Sequence, residues 1–308
     1  MTSIADFIKL PKRDFLSSLD FGMRYPSFVL WSGFYLPGFP EDGSPADAEM
    51  QAQVQEYTSL RIACADDIKK LLLLSVNENL ADCICQAHCS LNFDFFKNCA
   101  NDSIFYSLLE NLVQKYREKS KIFLYLPVDV SKLSSMASLS SKIMGKIFPA
   151  FETDVFEGVF FYGFDKKTAD CIPPEVSEIL NLAKSKNLKI KLDAGLSLSA
   201  DGLLKLLHFF EPRHLINADC GCDSKEAVNF LREQEIQAVI TPETDFQDKK
   251  NGIKEKAEKM RTLLEGGIKT FPATKSILFY NKSISQLACD LCSTGLFTKD
   301  EMISVLSQ

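Results

Sequence analysis

The stretch Leu188-Lys189-Ile190-Lys191-Leu192-Asp193-Ala194-Gly195-Leu196 decides the fold class. Its apolar and charged residues alternate up to Leu192 and the pattern breaks at Ala194-Gly195, which predicts a strand ending at a functional rim. A helical run, Pro174 to Lys186, precedes it and another, Ser199 to Phe210, follows it. Helix, strand, helix in that order implies parallel strands joined by crossover helices. The rest of the chain repeats the rhythm. Strands are expected at Ile122 to Pro127, Gly158 to Gly163, His214 to Ala218, Ala238 to Pro242 and Ile268 to Phe271, with helices at Ser107 to Lys119, Ser224 to Gln234, Lys249 to Glu265, Ser283 to Ser293 and Thr298 to Leu306. An α/β chain of this kind is expected to form one (β/α)8 TIM barrel over residues 1–308.

The 308 residues are 46% hydrophobic and 25% charged, with a formal charge of -6, the balance of an ordinary globule with a sizeable core. A net negative chain lacks the basic face that nucleic acid or an anionic membrane surface selects, so neither is expected as a partner. No apolar run approaches the roughly 20 residues that span a bilayer. The opening residues, with Asp6, Lys9, Lys12, Arg13 and Asp14, are too charged for a secretory signal, and ten cysteines without one read as reduced thiols. A cytoplasmic location is the expectation.

Near the start stands Leu10-Pro11-Lys12-Arg13-Asp14-Phe15-Leu16-Ser17-Ser18-Leu19-Asp20, the first strand. An aromatic, Gly- and Pro-rich interval, Tyr25 to Ala46, follows and is expected to be a loop with apolar anchors, then a single helix over Asp47 to Leu74. Asn77-Glu78-Asn79 leads into the second strand, Asp82 to His88. In this order the chain resembles the adenosine deaminase family, whose first strand reads Leu-Pro-Lys-x-Glu-Leu-His-x-His-Leu-Asp. The frame of Gly158 and Gly163, of Asp193-Ala194-Gly195-Leu196 (His-Ala-Gly-Glu in the family) and of Thr241-Pro242 extends the likeness to Leu306. The interval 25–46 matches a longer helical cover of the family and is expected to be a shortened lid.

The resemblance implies a zinc-dependent deaminase, and it also shows where this chain departs from one. The family's zinc ligands fall on Leu16, Ser18, Asp193 and Thr274, its proton carrier on Leu196, and its polarising pair on Asn217 and Lys275. A catalytic zinc needs three or four nitrogen, sulfur or carboxylate ligands and an open place for water, whose proton a neighbouring group then moves. Only Asp193 offers such a ligand, and a lysine beside it repels a cation. No metal and no cofactor are therefore expected, and an ion pair between Asp193 and Lys275 is expected where the zinc would stand, with a Lys275 that merely reaches solvent as the alternative.

Ser18, His88, Gly163, Asp193, Asn217, Asp245, Thr274 and Lys275 form the candidate pocket, with no catalytic residue assigned. His88 lies at the rim end of its strand, where a hydrogen-bonded wall residue is the commoner role than a base. A glycine at a strand end lets backbone approach a ligand closely, and the resemblance implies that use for Gly163. The rim acids Asp129, Asp165, Glu243 and Asp245 read as helix caps before they read as ligand contacts. Cys83, Cys85, Cys289 and Cys292 read as small buried hydrophobes, and Lys249 to Lys259 as a solvated helix face. The expected protein is adenosine-deaminase-like, without zinc or deaminase activity, keeping a nucleoside- or purine-sized pocket for a ligand or partner. The alternative is a hydrolase or deaminase with a rewired, metal-independent site.

Overall fold

The computed structural model describes residues 2–40, 45–92, 102–135, 144–145, 147–195, 198–222, 224–241 and 252–308. In chain order the elements are β1 (Lys12–Ser18), α1 (Tyr25–Ser32), α2 (Ala48–Arg61), α3 (Ala65–Ala81), β2 (Ile84–Ser90), α4 (Asp102–Tyr116), β3 (Lys121–Asp129) and α5 (Val130–Ser135). Then come β4 (Phe156–Tyr162), α6 (Lys166–Asp170), α7 (Pro174–Ser185), β5 (Lys189–Asp193), α8 (Ala200–Phe210), β6 (His214–Ile216), α9 (Lys225–Glu233), β7 (Gln237–Ile240) and α10 (Gly252–Glu265). β8 (Thr270–Pro272), α11 (Ile277–Tyr280), α12 (Ile284–Ser293) and α13 (Lys299–Ser307) close the chain. The strands hydrogen-bond in their chain order, β1 to β8, the alternation of the (β/α)8 barrel.

The chain divides into two compact units. The first comprises Met1–Phe123, Pro242–Lys250 and Pro272–Gln308. Its β1 and β2 pair in parallel, with Arg13 opposite Gln86 and Ser18 opposite Ser90. Phe7, Leu19, Met23, Phe28, Ile68, Leu71 and Leu72 are buried in its core. The interval expected to be a loop opens with a helix, α1. Pro26 sits in its first turn and Gly33, at φ 75°, ends it, so both residues mark helix ends and break nothing. The single helix expected over Asp47 to Leu74 is two, α2 and α3. Ile62 and Cys64 between them are extended, and Asp67 holds the corner by accepting from Arg61 (2.9 Å) and from the Ala63 amide (3.1 Å). Asn77 to Asn79 lie inside α3. At the other end of the chain, Thr298 and Glu301 form a capping box at the start of α13.

The second unit comprises Leu124–Thr241 and Asn251–Phe271. In it β3 pairs with β4, β4 with β5, β5 with β6 and β6 with β7, all in parallel. The alternation that predicts β5 has a different meaning in the folded chain: Ile190, Leu192 and also Lys191 are buried, because a parallel strand under crossover helices is covered on both faces. The Lys191 ammonium lies 3.9 Å from the centre of the Tyr125 ring, a cation held over an aromatic face. Burial pushes the Tyr125 hydroxyl well above its usual range. α10 is charged along its length, yet Lys256 is buried, so this run is not wholly a solvated face.

Gly158 on β4 is where two strands and a ring come closest. A Cβ built there stands 2.2 Å from the Lys189 carbonyl oxygen and 2.6 Å from Tyr125 Cε1. A backbone oxygen cannot swing aside. Gly158→Ala is expected to lower the unfolding free energy by about 2 kcal/mol, as overpacked cores do, and an unchanged urea midpoint would contradict that contact.

Candidate functional site

The first unit brings the end of β1 together with the residues that follow β8. Asp14 is fully buried, and its Oδ2 accepts from the Thr274 hydroxyl at 2.5 Å. Its Oδ1 accepts from the Leu16 amide (3.1 Å) and the Thr274 amide (3.3 Å). The Lys275 amide then donates to the Leu16 carbonyl at 2.7 Å, with Lys275 in the left-handed region at φ 58°. Leu16 and Thr274 are buried.

Ser18 faces a second carboxylate. Its hydroxyl donates to Asp20 Oδ1 and accepts from the Phe21 amide (3.1 Å), while Asp20 Oδ2 accepts from the Asn92 amide at 2.9 Å. Burial pushes the Asp20 carboxyl above its usual range, and these hydrogen bonds oppose that push. His88 on β2 stands 2.7 Å, nitrogen to nitrogen, from the Gln86 side-chain amide, and its ring lies 5.0 Å from Phe15 and 5.2 Å from Phe123. It is a buried, hydrogen-bonded wall residue, as its position on the strand leads one to expect.

The second unit carries a separate polar relay across three successive strand ends. Thr241 Oγ1, after β7, donates to Asn217 Oδ1 at 2.7 Å, and Asn217 Nδ2, after β6, donates to Asp193 Oδ1 at 3.0 Å. The Gly195 amide donates to the same carboxylate oxygen at 2.9 Å. An ionised carboxylate only accepts, so it must meet the NH2 of Asn217, and Thr241 is left to donate to the amide oxygen. All three side chains are buried. Asn217 and Gly195 are left-handed, at φ 54° and 71°.

Gly163, at φ 80°, closes β4, and a Cβ built on it would stand 2.6 Å from Asp129 Oδ1. The close approach this glycine permits is to the Asp129 carboxylate, which also accepts from the Ser131 hydroxyl (2.6 Å) and pairs with Lys132 (3.5 Å). Asp165 caps α6 in a capping box with Thr168, the cap role predicted for it. Glu243, Asp245 and Leu196 lie outside the described residues.

Of the candidate residues, then, Asp193 and Asn217 meet directly, Ser18 and Thr274 each meet a carboxylate of β1 or its exit, and His88 is part of a wall. Sequence reasoning missed Asp14, Asp20 and Thr241. Asp14 and Asp20 stand in the quoted opening motif, and for Asp14 an acid at a buried strand position was the signal. Thr241 gave none, since threonine is common in any strand. The cysteine reading needs correction in part: Cys292 is buried but Cys83 and Cys85 are exposed. Cys83 precedes β2 in a left-handed turn (φ 53°), so it lies outside the strand that was to bury it. Among the described residues, no group of three or more His, Cys, Asp or Glu side chains stands together as metal ligands would. No helix among them is long and apolar enough to cross a membrane.

No protein-family model matches the chain. A protein of Treponema pallidum (strain Nichols) named "Putative adenosine/adenine deaminase" is 24% identical to it over 307 residues, 97% of each chain. Among solved structures, an amidohydrolase from Burkholderia ambifaria, with bound Zn, superposes with a TM-score of 0.74 at 14% identity, covering 94% of this chain and 82% of that one. The N6-methyl-AMP deaminase of Arabidopsis thaliana gives 0.69 at 15% identity, over 99% and 92%. The fold is thus that of the amidohydrolase and deaminase barrels. Adenosine/adenine deaminases are the class of protein this chain is similar to.

Proposed function

We propose that this chain is an adenosine-deaminase-like barrel without zinc or deaminase activity, which keeps a purine- or nucleoside-sized site for binding a ligand or partner. The observation that carries the reading is the commitment of the Thr274 hydroxyl to Asp14. Thr274 occupies a matched zinc-ligand place, and its hydroxyl is already donated to a buried carboxylate of the frame. Ser18, at another such place, donates to Asp20 in the same way. Leu16 offers no ligand atom at all, and Asp193 alone does not hold Zn2+ against water. The residues at these places do not fit a catalytic zinc.

The Thr241–Asn217–Asp193 relay favours one second reading, a metal-independent hydrolase or deaminase. A carboxylate whose orientation is fixed by two donors is what a general base requires. The likeness to a protein named as an adenosine/adenine deaminase supports a purine as the ligand in either reading, and chemistry on its amino group only in the second.

One set of measurements separates them. The purified chain is assayed for zinc, and for turnover of adenosine, adenine and N6-methyl-AMP by ultraviolet absorbance. The proposal expects less than stoichiometric zinc and no turnover. One equivalent of zinc with deamination overturns it, and deamination without zinc hands the site to the second reading. A thermal-shift screen with the same compounds tests the retained pocket, because a ligand at a hundred times its dissociation constant stabilises the native state by about 2.7 kcal/mol.

A further inference from the structure

Outside the strand-end sites the first unit carries a cavity of about 630 Å3 between α3 and α4. Its lining is ordered in rows. Ile104, Leu108 and Leu112 recur at every fourth residue of α4, Ser103, Ser107, Asn111 and Lys115 form the neighbouring row, and Lys69 and Leu73 of α3 face them. Residues four apart on a helix stand one above another, so each set is a ridge with a groove beside it. The α4 row from Ser103 to Lys115 is on the order of 18 Å long at the helical rise.

The chemistry of the rows narrows the occupant. Apolar and hydrogen-bonding groups alternate side by side along the whole length, and lysines stand on both helices. An acyl chain would use the apolar row and put hydrocarbon against Ser107 and Asn111, where water now reaches them. A small anion would use a lysine and leave Leu73, Ile104 and Leu108 uncovered, Leu112 being buried already. A third helix answers both, because an i, i+4 ridge seats in a groove between i, i+4 ridges. Ile104 keeps 50% of its surface exposed although it stands on this row. Lys70 is paired with Asp66 (2.7 Å), whereas among the described residues no carboxylate pairs with Lys69 or Lys115. Lys115 lies 5.5 Å from the centre of the Tyr116 ring.

We propose that the α3–α4 groove docks an amphipathic helix of a partner protein, one with an apolar ridge at every fourth residue flanked by glutamate or aspartate. The proposal is independent of whether the barrel deaminates anything.

The probe is a fluorescein-labelled helical peptide of sixteen residues with Leu at every fourth position and Glu on both flanking rows. Its counterpart has Lys in place of each Glu. Fluorescence anisotropy with the full chain reads binding. The Glu peptide is expected to bind saturably and the Lys peptide roughly ten-fold more weakly or not at all, as two exposed charge pairs allow. Ile104→Glu is expected to abolish binding of the Glu peptide. The Lys69→Glu/Lys115→Glu double variant is expected to reverse the preference between the peptides. All three substitutions are at exposed positions, and circular dichroism confirms that each variant is folded. Equal binding of both peptides, binding of neither, or binding that Ile104→Glu leaves intact overturns the proposal. So does displacement of the peptide by dodecanoate together with no charge reversal, which would assign the groove to an anionic amphiphile.

Discussion

Asp14→Ala is expected to lower the unfolding free energy by about 4 kcal/mol, the range seen when one partner of a buried charged network is removed. Three donors lose their acceptor at once: the Thr274 hydroxyl and the amides of Leu16 and Thr274. None of the three residues is more than marginally exposed, so water does not readily replace the carboxylate. Thr274→Val removes one of these donors and leaves both amides bonded, so about 1.5 kcal/mol is expected from it, the worth of a single hydrogen bond to a charged group. Urea unfolding at constant m separates the two variants. A loss below about 1 kcal/mol in Asp14→Ala would show that Asp14 is not a framework acceptor. The argument that Thr274 is committed elsewhere than to a metal would go with it.

Lys12→Met comes second in size, at about 3 kcal/mol. The Lys12 side chain is completely buried at the foot of β1, and its three protons go to the carbonyl oxygens of Phe7 (2.9 Å), Leu10 (2.9 Å) and Ile8 (3.3 Å). Asp82 stands 3.8 Å from the ammonium, a charge contact beyond hydrogen-bond reach. Burial lowers the lysine's pKa and raises that of Asp82, each opposed by the attraction between them. Methionine fills the volume but leaves three carbonyls short of a donor and a buried carboxylate without its nearer countercharge, Arg24 acting on it more weakly. Without the ammonium the folded pKa of Asp82 rises further above its unfolded value. The proton is then bound more tightly in the folded state, and the deficit grows as pH climbs above about 4, where the unfolded carboxylate ionises. The Lys12→Met deficit is therefore expected to be smaller in acid than at neutral pH. Adding Asp82→Asn should recover part of it, and a double variant no better than the single one would show that the charge contact carries nothing.

The fold was readable because its signal is redundant. Strand and helix alternate through the chain, and an error of two residues at an end does not alter a parallel topology. What was misread depended on tertiary placement. The Pro and Gly of residues 25–33 look alike in a loop and at the two ends of a short helix, and only packing of Phe28 into the core distinguishes them. The corner between α2 and α3 was hidden because Ile62 and Cys64 continue an apolar pattern while Asp67, five residues beyond Ile62, makes the turn. Lys191 alternates with Ile190 and Leu192 as a solvent-facing residue would, yet both faces of β5 are covered.

The candidate site was legible as a set of places and less so as a set of partnerships. Ser18, Asp193, Asn217 and Thr274 were picked out by matching a frame, which says where a side chain starts and nothing about where its hydrogen bond goes. Two of the four go to acids, Asp14 and Asp20, that a search for metal ligands passes over because they stand beside the matched ligand places and not at them. Thr241 is found only through Asn217, whose amide has one face for a donor and one for an acceptor.

The left-handed backbone at Gly163, Gly195, Asn217 and Lys275 bears on what could be rebuilt here. Non-glycine residues tolerated in that conformation are chiefly Asn, Asp and His. Histidine at 217 and aspartate at 275 therefore ask for no new loop path, only for different side chains on turns already shaped to carry them. Each turn is a ready chassis for grafting a reactive group, and the obstacle at 275 is Asp14, already engaged with the neighbouring Thr274.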